Sequence, residues 1–379
     1  MIVKPIKTIM IMKTRNLLTM LLLALMPLAA SAYDFELNGI YYEKTGEGEV
    51  SVVKGDKAYE GAVVIPSSIK VGGVTYAVTG IGDEAFRMCT LKSVSVPEGV
   101  KRIGAYGLAT WCADISLPST LEEIGEWGLA GTPLKVLCLP EGLRVIGRNA
   151  FEGSSLTEVT IPSTVSEIGP SPFSGAGWDP ATNRVNGIDR IKVAEGNIIY
   201  DSREDCNAII ETATGKLIQG SNTTLIPSGV KSIADAAFLM CQRMETLVLP
   251  ADITEYGRDC FMLCLGLKDI YAYNPKPVEA IYLFGNAVMD GFDFDHVILH
   301  VPIGSKDAYS QVNCWKHFKH IEEFDPENEA SPTGIGAAET GVAGVEACFS
   351  ADGKRQQAPV RGLNIVRMSD GTTKQVVMK

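Results

Sequence analysis

This sequence of 379 residues has few histidines and lacks the short motifs of most enzyme families. It contains four histidines, and no Walker motif, phosphate-binding glycine loop or nucleophile elbow is present. An enzyme site needs titratable groups that converge in a pocket, and the sequence indicates no such set. We therefore expect no catalytic residues, no metal ion and no cofactor.

Positive charge is also scarce, because 34 Lys and Arg residues stand against 45 Asp and Glu residues, for a net charge of −11. Residues 1–32 hold four basic residues and no acidic residue, so the remainder of the chain has a net charge of −15. A surface of that sign repels nucleic acid and anionic lipid. We expect neither as a partner.

One long apolar run is present, and it lies near the N-terminus. It covers residues 17–28, follows a basic flank, and is short for a membrane span. Ala30-Ser31-Ala32 then has the small-x-small pattern of a cleavage site. We predict that residues 1–32 are a signal peptide, that the mature chain has no membrane span, and that it is secreted or held at the cell surface. A retained N-terminal anchor is the alternative.

The rest of the chain is organised by a repeat. An apolar residue precedes proline, an apolar residue, mostly Ile, follows six positions after it, and Leu or Phe follows eleven positions after it. These markers recur at Pro97, Pro118, Pro140, Pro162, Pro227 and Pro250. A fixed period of this kind indicates a solenoid. Equal offsets predict that Phe151 is buried between Leu129 and Phe173 of the adjacent repeats.

The pattern around each proline predicts one strand per repeat. Val94 and Val96 alternate with Ser93 and Ser95, which indicates a strand with one buried face, and Pro97 ends it. Gly104, seven residues after Pro97, is interpreted as the residue that permits a tight bend. We predict an α+β solenoid of stacked short strands over residues 66–324, with a hairpin inserted near residues 71–74 and two longer turns at residues 174–226.

The ends of the array have their own signals. Residues 33–65 alternate between short apolar segments and turns, and we predict an N-terminal β-hairpin cap there. Tyr309, Val312, Trp315 and Phe318 recur every three residues, which predicts a capping helix within residues 305–321. Residues 325–344 have the composition of a flexible linker. Residues 345–379 form a tail with two strand candidates.

Nine cysteines in an exported chain raise the possibility of disulfides. Cys89, Cys241 and Cys264 each come three residues after a repeat Phe, and Ser154 occupies the same slot. A slot that accepts either Cys or Ser is a small, buried packing position. We predict packing thiols first, with a Cys241–Cys264 disulfide as the alternative.

These repeats resemble the leucine-rich repeats of BspA-like surface proteins of Bacteroidetes and treponemes. The matching residues are the strand and proline unit Leu156 to Pro162, pairs such as Ile146-Gly147, and Asn149-Ala150-Phe151. The resemblance covers about residues 35–324 and implies a secreted or surface protein, some members being implicated in adhesion. Residues 348–379 resemble the C-terminal tails of exported Bacteroidetes proteins, which implies a possible sorting signal. A capping hairpin is the alternative.

Alternation along the strands predicts which side chains face outward as a candidate binding face. Such a flat, mostly uncharged face suits an extended extracellular protein or glycan, so we expect an adhesin-like binding role towards a host or bacterial surface macromolecule. The alternatives are a structural envelope protein, or a hydrolase built on carboxylates of the longer turns. The predicted face consists of Ser93, Ser95, Asp114, Ser116, Val136, Glu158, Thr160, Lys192, Thr246, Val248, Asp269, Tyr271 and His300, with Cys138, Leu225 and either Asp189 or Arg190 also considered.

Overall fold

The computed structural model of the protein describes residues 33–285, residues 291–326 and four strands between residues 345 and 378. The predicted signal peptide and nearly all of the predicted linker therefore lie outside the described residues. Within the described residues the chain is almost entirely strands and turns.

Strands are numbered in chain order. The first thirteen are β1 (Phe35–Leu37), β2 (Ile40–Gly46), β3 (Glu49–Val53), β4 (Glu60–Val64), β5 (Ser68–Val71), β6 (Val74–Ile81), β7 (Thr90–Ser95), β8 (Arg102–Ile103), β9 (Ile115–Ser116), β10 (Glu123–Ile124), β11 (Val145–Ile146), β12 (Glu158–Ile161) and β13 (Glu167–Ile168). The remaining elements are β14 (Trp178–Asp179), β15 (Arg184–Val185), β16 (Arg190–Val193), β17 (Tyr200–Asp201), β18 (Ile209–Glu211), β19 (Lys216–Gln219), β20 (Ser232–Ile233), β21 (Thr246–Leu249), β22 (Glu255–Tyr256), β23 (Asp269–Ala272), β24 (Ile298–Pro302), helix α1 (Lys306–Tyr309), β25 (His320–Phe324), β26 (Val345–Ser350), β27 (Arg355–Gln356), β28 (Gly362–Met368) and β29 (Thr373–Met378).

Most repeats contribute one strand before the proline position and a second, two-residue strand about six residues after it. Before Pro140 only an isolated bridge, Val136 with Glu158, is formed. The strands before proline form sheet B (β4-β7-β9), sheet C (β12-β16) and sheet D (β21-β23-β24-β25). The strands after proline form the nine-stranded sheet A, in the order β1-β2-β3-β6-β8-β10-β11-β13 with β5 beside β6, and part of sheet E, in the order β17-β18-β19-β20-β22. Successive repeats pair in parallel, as Ile124 with Ile146 and Ile146 with Ile168. The repeat phase is therefore confirmed.

The core lies between the two sets of sheets. Phe151 is fully buried, and its ring stacks on Phe173 with centroids 5.1 Å apart and planes 7° from parallel. Leu129, at the same position one repeat earlier, is also fully buried, and its N–H donates to the carbonyl of Ala150. The predicted packing of Phe151 is confirmed.

The repeat glycines have a different role from the one predicted. Gly104 and Gly147 do not have a positive φ; the left-handed residue comes two positions later, as at Tyr106, where φ is 54°. A Cβ added to Gly147 would lie 2.5 Å from the carbonyl carbon of Gly125 in the preceding repeat. These glycines are therefore required because the backbones of adjacent repeats approach closely.

The N-terminal segment is partly built into the repeat array. The hairpin β1–β2 is antiparallel, as predicted for a cap, but β3 pairs in parallel with β6 and β4 in parallel with β7. The first turn thus begins before residue 66. The insertion in this turn is the antiparallel hairpin β5–β6, which closes at Val71 and Val74, as predicted.

The longer turns at residues 174–226 contain a hairpin and a buried polar network. In the hairpin β14–β15, Trp178 packs edge-on against Trp111, with ring centroids 5.3 Å apart. In the network, Asn207 accepts a hydrogen bond from Ile191 N–H at 3.1 Å and donates to the carbonyl of Asp189 at 3.1 Å. Its side chain thereby bonds backbone groups that have no neighbouring strand.

The predicted capping helix over residues 305–321 is wrong in extent. Only Lys306–Tyr309 is helical, and β25 begins at His320. Tyr309, Trp315 and Phe318 are nevertheless buried, because irregular turns carry the same side chains into the core. The α+β class is accordingly correct only in part, since the described repeats are made mostly of strands.

The tail has strands where they were predicted. β28 pairs antiparallel with β29, from Gly362 with Met378 to Arg367 with Thr373. β26 pairs antiparallel with both β27 and β28. The tail therefore forms a small sheet of its own, in the order β27-β26-β28-β29.

Candidate binding face

The outward side chains of the strands before proline form a surface that we call the strand face. Of the thirteen residues predicted for it, seven are exposed, three are half-buried and three are buried. All seven exposed residues lie before residue 194, so the face is open only in its N-terminal part. The exposed residues are Ser95, Asp114, Ser116, Val136, Glu158, Thr160 and Lys192, and the half-buried ones are Ser93, Thr246 and Asp269.

The exposure predicted for Val248, Tyr271 and His300 is wrong, and Leu225 is buried as well. The His300 ring stacks on Tyr271 with centroids 4.2 Å apart. The Tyr271 ring also meets Phe324 edge-on, with centroids 5.8 Å apart. Alternation places these side chains on the outer side of sheet D, but their large rings pack on one another there.

His300 is held by one charged neighbour. Its Nε2 lies 2.9 Å from Oδ1 of Asp269, and its Nδ1 has no hydrogen-bond partner. The side chain of Asp269 is 21% exposed and that of His300 is fully buried. This pair therefore orients the imidazole within the aromatic cluster.

In the open part, three successive repeats form a groove with a volume of about 420 Å³. Val136, Glu158 and Arg190 form one row across it, since Val136 bridges to Glu158 and Glu158 is in register with Arg190. A second row, two residues further along each strand, consists of Cys138, Thr160 and Lys192. We call this surface, defined by those six residues, the groove.

The register resolves the choice that the sequence left open between Asp189 and Arg190. Arg190 is the outward residue and lines the groove, whereas Asp189 forms an ion pair with Arg243. Sequence reasoning missed Glu141, which also lines the groove from the turn after Pro140. No periodic signal marks that turn position.

The groove combines apolar surface with cations that have no internal partner. Val136 is 58% exposed. Arg190 and Lys192 form no ion pair with any residue in the described part of the chain. Their donors, together with the Glu158 carboxylate and the Thr160 hydroxyl, are therefore available to a ligand.

Two carboxylates of the longer turns that a hydrolase would use, Asp201 and Asp179, are engaged in local hydrogen bonds. Asp201 accepts two hydrogen bonds from the Arg203 guanidinium, at 2.7 and 2.6 Å, and one from Thr212 at 2.8 Å. Burial raises the pKa of Asp201, but these hydrogen bonds outweigh burial and lower its pKa below the usual value. A general acid would need the opposite shift.

Asp179, in the β14–β15 hairpin, also has a lowered pKa. Asp179 accepts hydrogen bonds from Ala181 N–H and the Thr182 hydroxyl, and these bonds hold the pKa of its carboxyl below the usual value. Glu204 and Asp205 lie in a short 3-10 turn, Arg203–Asp205. Among the described residues no group of three or more His, Cys, Asp or Glu side chains is placed to hold a metal ion.

The cysteine slot is a packing position, as predicted. Cys89, Cys241, Cys264 and Ser154 are all buried. None of the eight cysteines within residues 33–326 forms a disulfide, so the Cys241–Cys264 alternative is wrong. Burial raises the pKa of Cys264 to about 12, which keeps this thiol protonated and unreactive at neutral pH.

The repeats match a known family. Six copies of the BspA type leucine rich repeat region are recognised, over residues 68–178 and 218–286. The repeats of this chain are of the BspA type. The interval between the two matched ranges corresponds to the longer turns, where the polar network replaces the regular repeat. Leucine-rich repeats generally provide extended binding surfaces.

Solved structures of several bacterial proteins are distant neighbours. A leucine-rich repeat protein from Eubacterium ventriosum is 19% identical, with a TM-score of 0.45, and the match covers 69% of this chain and 76% of that one. A leucine rich cell surface protein from Faecalibacterium prausnitzii is 18% identical, with a TM-score of 0.42 and coverage of 78% and 96%. A leucine-rich repeat protein from Bacteroides ovatus is 18% identical, with a TM-score of 0.32 and coverage of 77% and 100%.

No curated protein matches this sequence. Throughout the described part of the chain, no helix has the length and apolar character needed to cross a bilayer.

Proposed function

We propose that this protein is an exported, non-catalytic binding protein that holds an extracellular macromolecule on the open part of its strand face. The observation that supports this function is the groove, where an exposed valine, two cations with no ion pair to another described residue, and several hydrogen-bonding groups lie on three adjacent repeats. Its ligand is an extended surface protein or glycan, and the role is adhesin-like.

The chemistry of the groove favours binding over turnover. The side chains that line it are presented on a rigid parallel sheet, which fixes their spacing at roughly 4.8 Å per repeat. A ligand that spans three repeats can therefore meet Val136, Thr160 and Lys192 at once. Because each contact is modest, affinity depends on several repeats acting together.

The test is a binding screen of the full chain against immobilised matrix proteins, mucins and bacterial surface glycans. The double variant Val136→Asp, Lys192→Glu should lose at least tenfold in affinity for the ligand found. Lys306→Glu, an exposed charge reversal on α1, is the matched control and should bind like the parent. Equal affinity of the parent and the double variant would contradict the proposal, as would turnover abolished by Asp201→Ala.

The proposed export depends on two terminal segments. The signal peptide at residues 1–32 directs the chain across the inner membrane, and the tail at residues 345–379 is a sorting signal. Deletion of the tail should leave the repeats folded but retained in the periplasm, measured by protease accessibility on whole cells. Unchanged surface exposure after the deletion would rule out the sorting role.

A further inference from the structure

The two sets of sheets end at different levels at the N-terminal end of the array. Sheet A continues past β3 by two strands, β2 and β1, whereas sheet B stops at β4. Since β3 and β4 belong to the same turn, the hairpin β1–β2 projects beyond β4 by two strand widths, roughly 10 Å. This leaves a step beside β4, which we call the notch.

The notch is a formed cavity of about 630 Å³, within the size range of ligand sites. The hairpin provides one wall through Ile40 and Tyr42, and β4 provides the other through Val63 and Val64. Ile69 of β5 also lines it. Ile40, Tyr42, Val63 and Ile69 are buried and form an apolar floor, while Val64 at the rim is 71% exposed. The rim also carries the exposed charged residues Glu36, Lys57 and Glu60.

The edge of β4 that faces the notch is available for pairing. β4 pairs with β7 on one side, and no other described strand lies on its opposite side. Unpaired strand edges bind further strands unless charges or bulges protect them. The pairing of β4 with β7 contains one bulge, where Lys92 of β7 is the extra residue opposite Gly61 and Ala62, but the register is regular from Ala62 to Val64.

The other end of the array shows what a protected edge looks like. β25 is the last strand of sheet D, and its exposed residues include His320, Glu322 and Glu323. These charges oppose the addition of another strand. The exposed residues of β4 beyond the bulge are Ala62 and Val64, which do not oppose it.

From the notch we infer a second binding site, in which an extended segment of a partner protein, with aliphatic side chains at alternate positions, adds to β4 as a new strand. Backbone hydrogen bonds to β4 supply affinity, and the alternate side chains lie over Val63 and Ile69. A second copy of this chain fits less well, because the hairpins of two copies related by a two-fold axis would collide before their β4 edges met. The notch admits a single strand or a hairpin.

The probe for this site is a fluorescent nine-residue peptide that alternates valine and threonine, titrated against the full chain by anisotropy. Two further peptides carry N-methyl groups on either the odd or the even residues. Because alternate N–H groups of an added strand face its neighbour, one methylated peptide should bind like the parent peptide. The other should bind at least tenfold more weakly.

The protein variants separate this site from the groove. Val64→Lys should weaken probe binding at least tenfold, while Val74→Lys, an exposed valine at the β5–β6 turn, should not change it. Lys192→Glu should also leave probe binding unchanged, because it alters the groove alone. In the parent, the probe should slow hydrogen exchange of amides within Glu60–Val64.

Three outcomes would overturn the inference. They are no probe binding at about 1 mM peptide, equal binding of both N-methylated peptides, and unaltered exchange of the β4 amides. A dimer by light scattering that Val64→Lys abolishes would assign the notch to a second copy instead.

Discussion

The two ends of the strand face differ although they are built from the same repeat. At Thr160 and Lys192 the outward side chains are exposed, whereas at Tyr271 and His300 the equivalent side chains are fully buried. The backbone pairing is parallel and in register in both places. The repeat therefore specifies the direction in which a side chain points, while the size of that side chain and its neighbours decide whether the side chain is exposed.

The two parts of the strand face therefore carry different kinds of side chain. Small and charged side chains in the N-terminal part leave the sheet open and form the groove. Large rings in the C-terminal part bury apolar area and stabilise the array at the end where sheet D closes on β25. If the groove binds as proposed, binding and stability depend on opposite ends of the strand face.

The largest expected effect concerns the interior, which both ends share. Phe151→Ala should lower the free energy of unfolding by about 3–5 kcal/mol through lost burial and a residual cavity. Phe151→Leu should cost far less, because Leu129 occupies the same slot in the preceding repeat. Urea unfolding measures both variants, and a Phe151→Ala variant as stable as the parent would show that the repeat phase is wrong.

A smaller effect separates the two ends directly. His300→Ala removes the stack on Tyr271 and leaves the Asp269 carboxylate without its buried partner, and should cost about 1–3 kcal/mol. Lys192→Ala, in the same row of the open part, should change stability by less than about 0.5 kcal/mol. Equal losses of unfolding free energy in the two variants would show that the two ends do not differ in their contribution to stability.

The stability of the longer turns, which lie between the two ends, should depend on pH. The Asp201 pKa is lower in the folded chain than in the unfolded chain. Its contribution to stability is therefore present above the unfolded value of about 3.9, and is lost as pH falls through the folded value. Asp201→Asn should cost about 1 kcal/mol at pH 7, since hydrogen bonds in a partly exposed pair contribute modestly.

The pH control for Asp201 is unfolding measured at low pH. Below both values the carboxyl of the parent is protonated, so the parent and Asp201→Asn should then be equally stable. A difference of the same size at pH 2 and pH 7 would show that Asp201 acts through packing alone.

The smallest effect is expected at Cys138, an exposed thiol in the groove. Cys138→Ser should leave the unfolding free energy unchanged within about 0.5 kcal/mol. The native chain should lose its fastest alkylation site within residues 33–326, as measured by peptide mass spectrometry, while Cys241 and Cys264 stay unmodified. Rapid alkylation of Cys264 in the native state would contradict its burial.

Much of the fold could be predicted, because comparing the copies of a repeat shows which positions are equivalent. The positions of Phe151, the β5–β6 insertion and the cysteine slot follow from comparing copies with one another. The role of Gly147 could not be predicted in the same way, because the need for a missing Cβ arises from the distance between repeats and is invisible within one copy.

The candidate site was predictable only where side chains are small. Alternation identified Thr160 and Lys192 correctly, since nothing large lies over them. It failed at Tyr271 and His300, because a period of two gives a direction and carries no information on what packs against the outer side. The capping helix was predicted too long for a related reason. The aromatic residues after Lys306–Tyr309 are buried by irregular turns, and their spacing of three residues is also typical of one face of a helix.

The parallel pairing of successive repeats also has a mechanical consequence. Hydrogen bonds between neighbouring parallel strands are evenly spaced and slanted, and they connect each repeat to the next along the stacking direction. A pull on the two ends of the array loads these bonds one repeat at a time, so it peels the repeats in sequence at modest force. If the groove binds as proposed, a ligand that spans three repeats would hold them together, and the repeats outside the groove would unfold first.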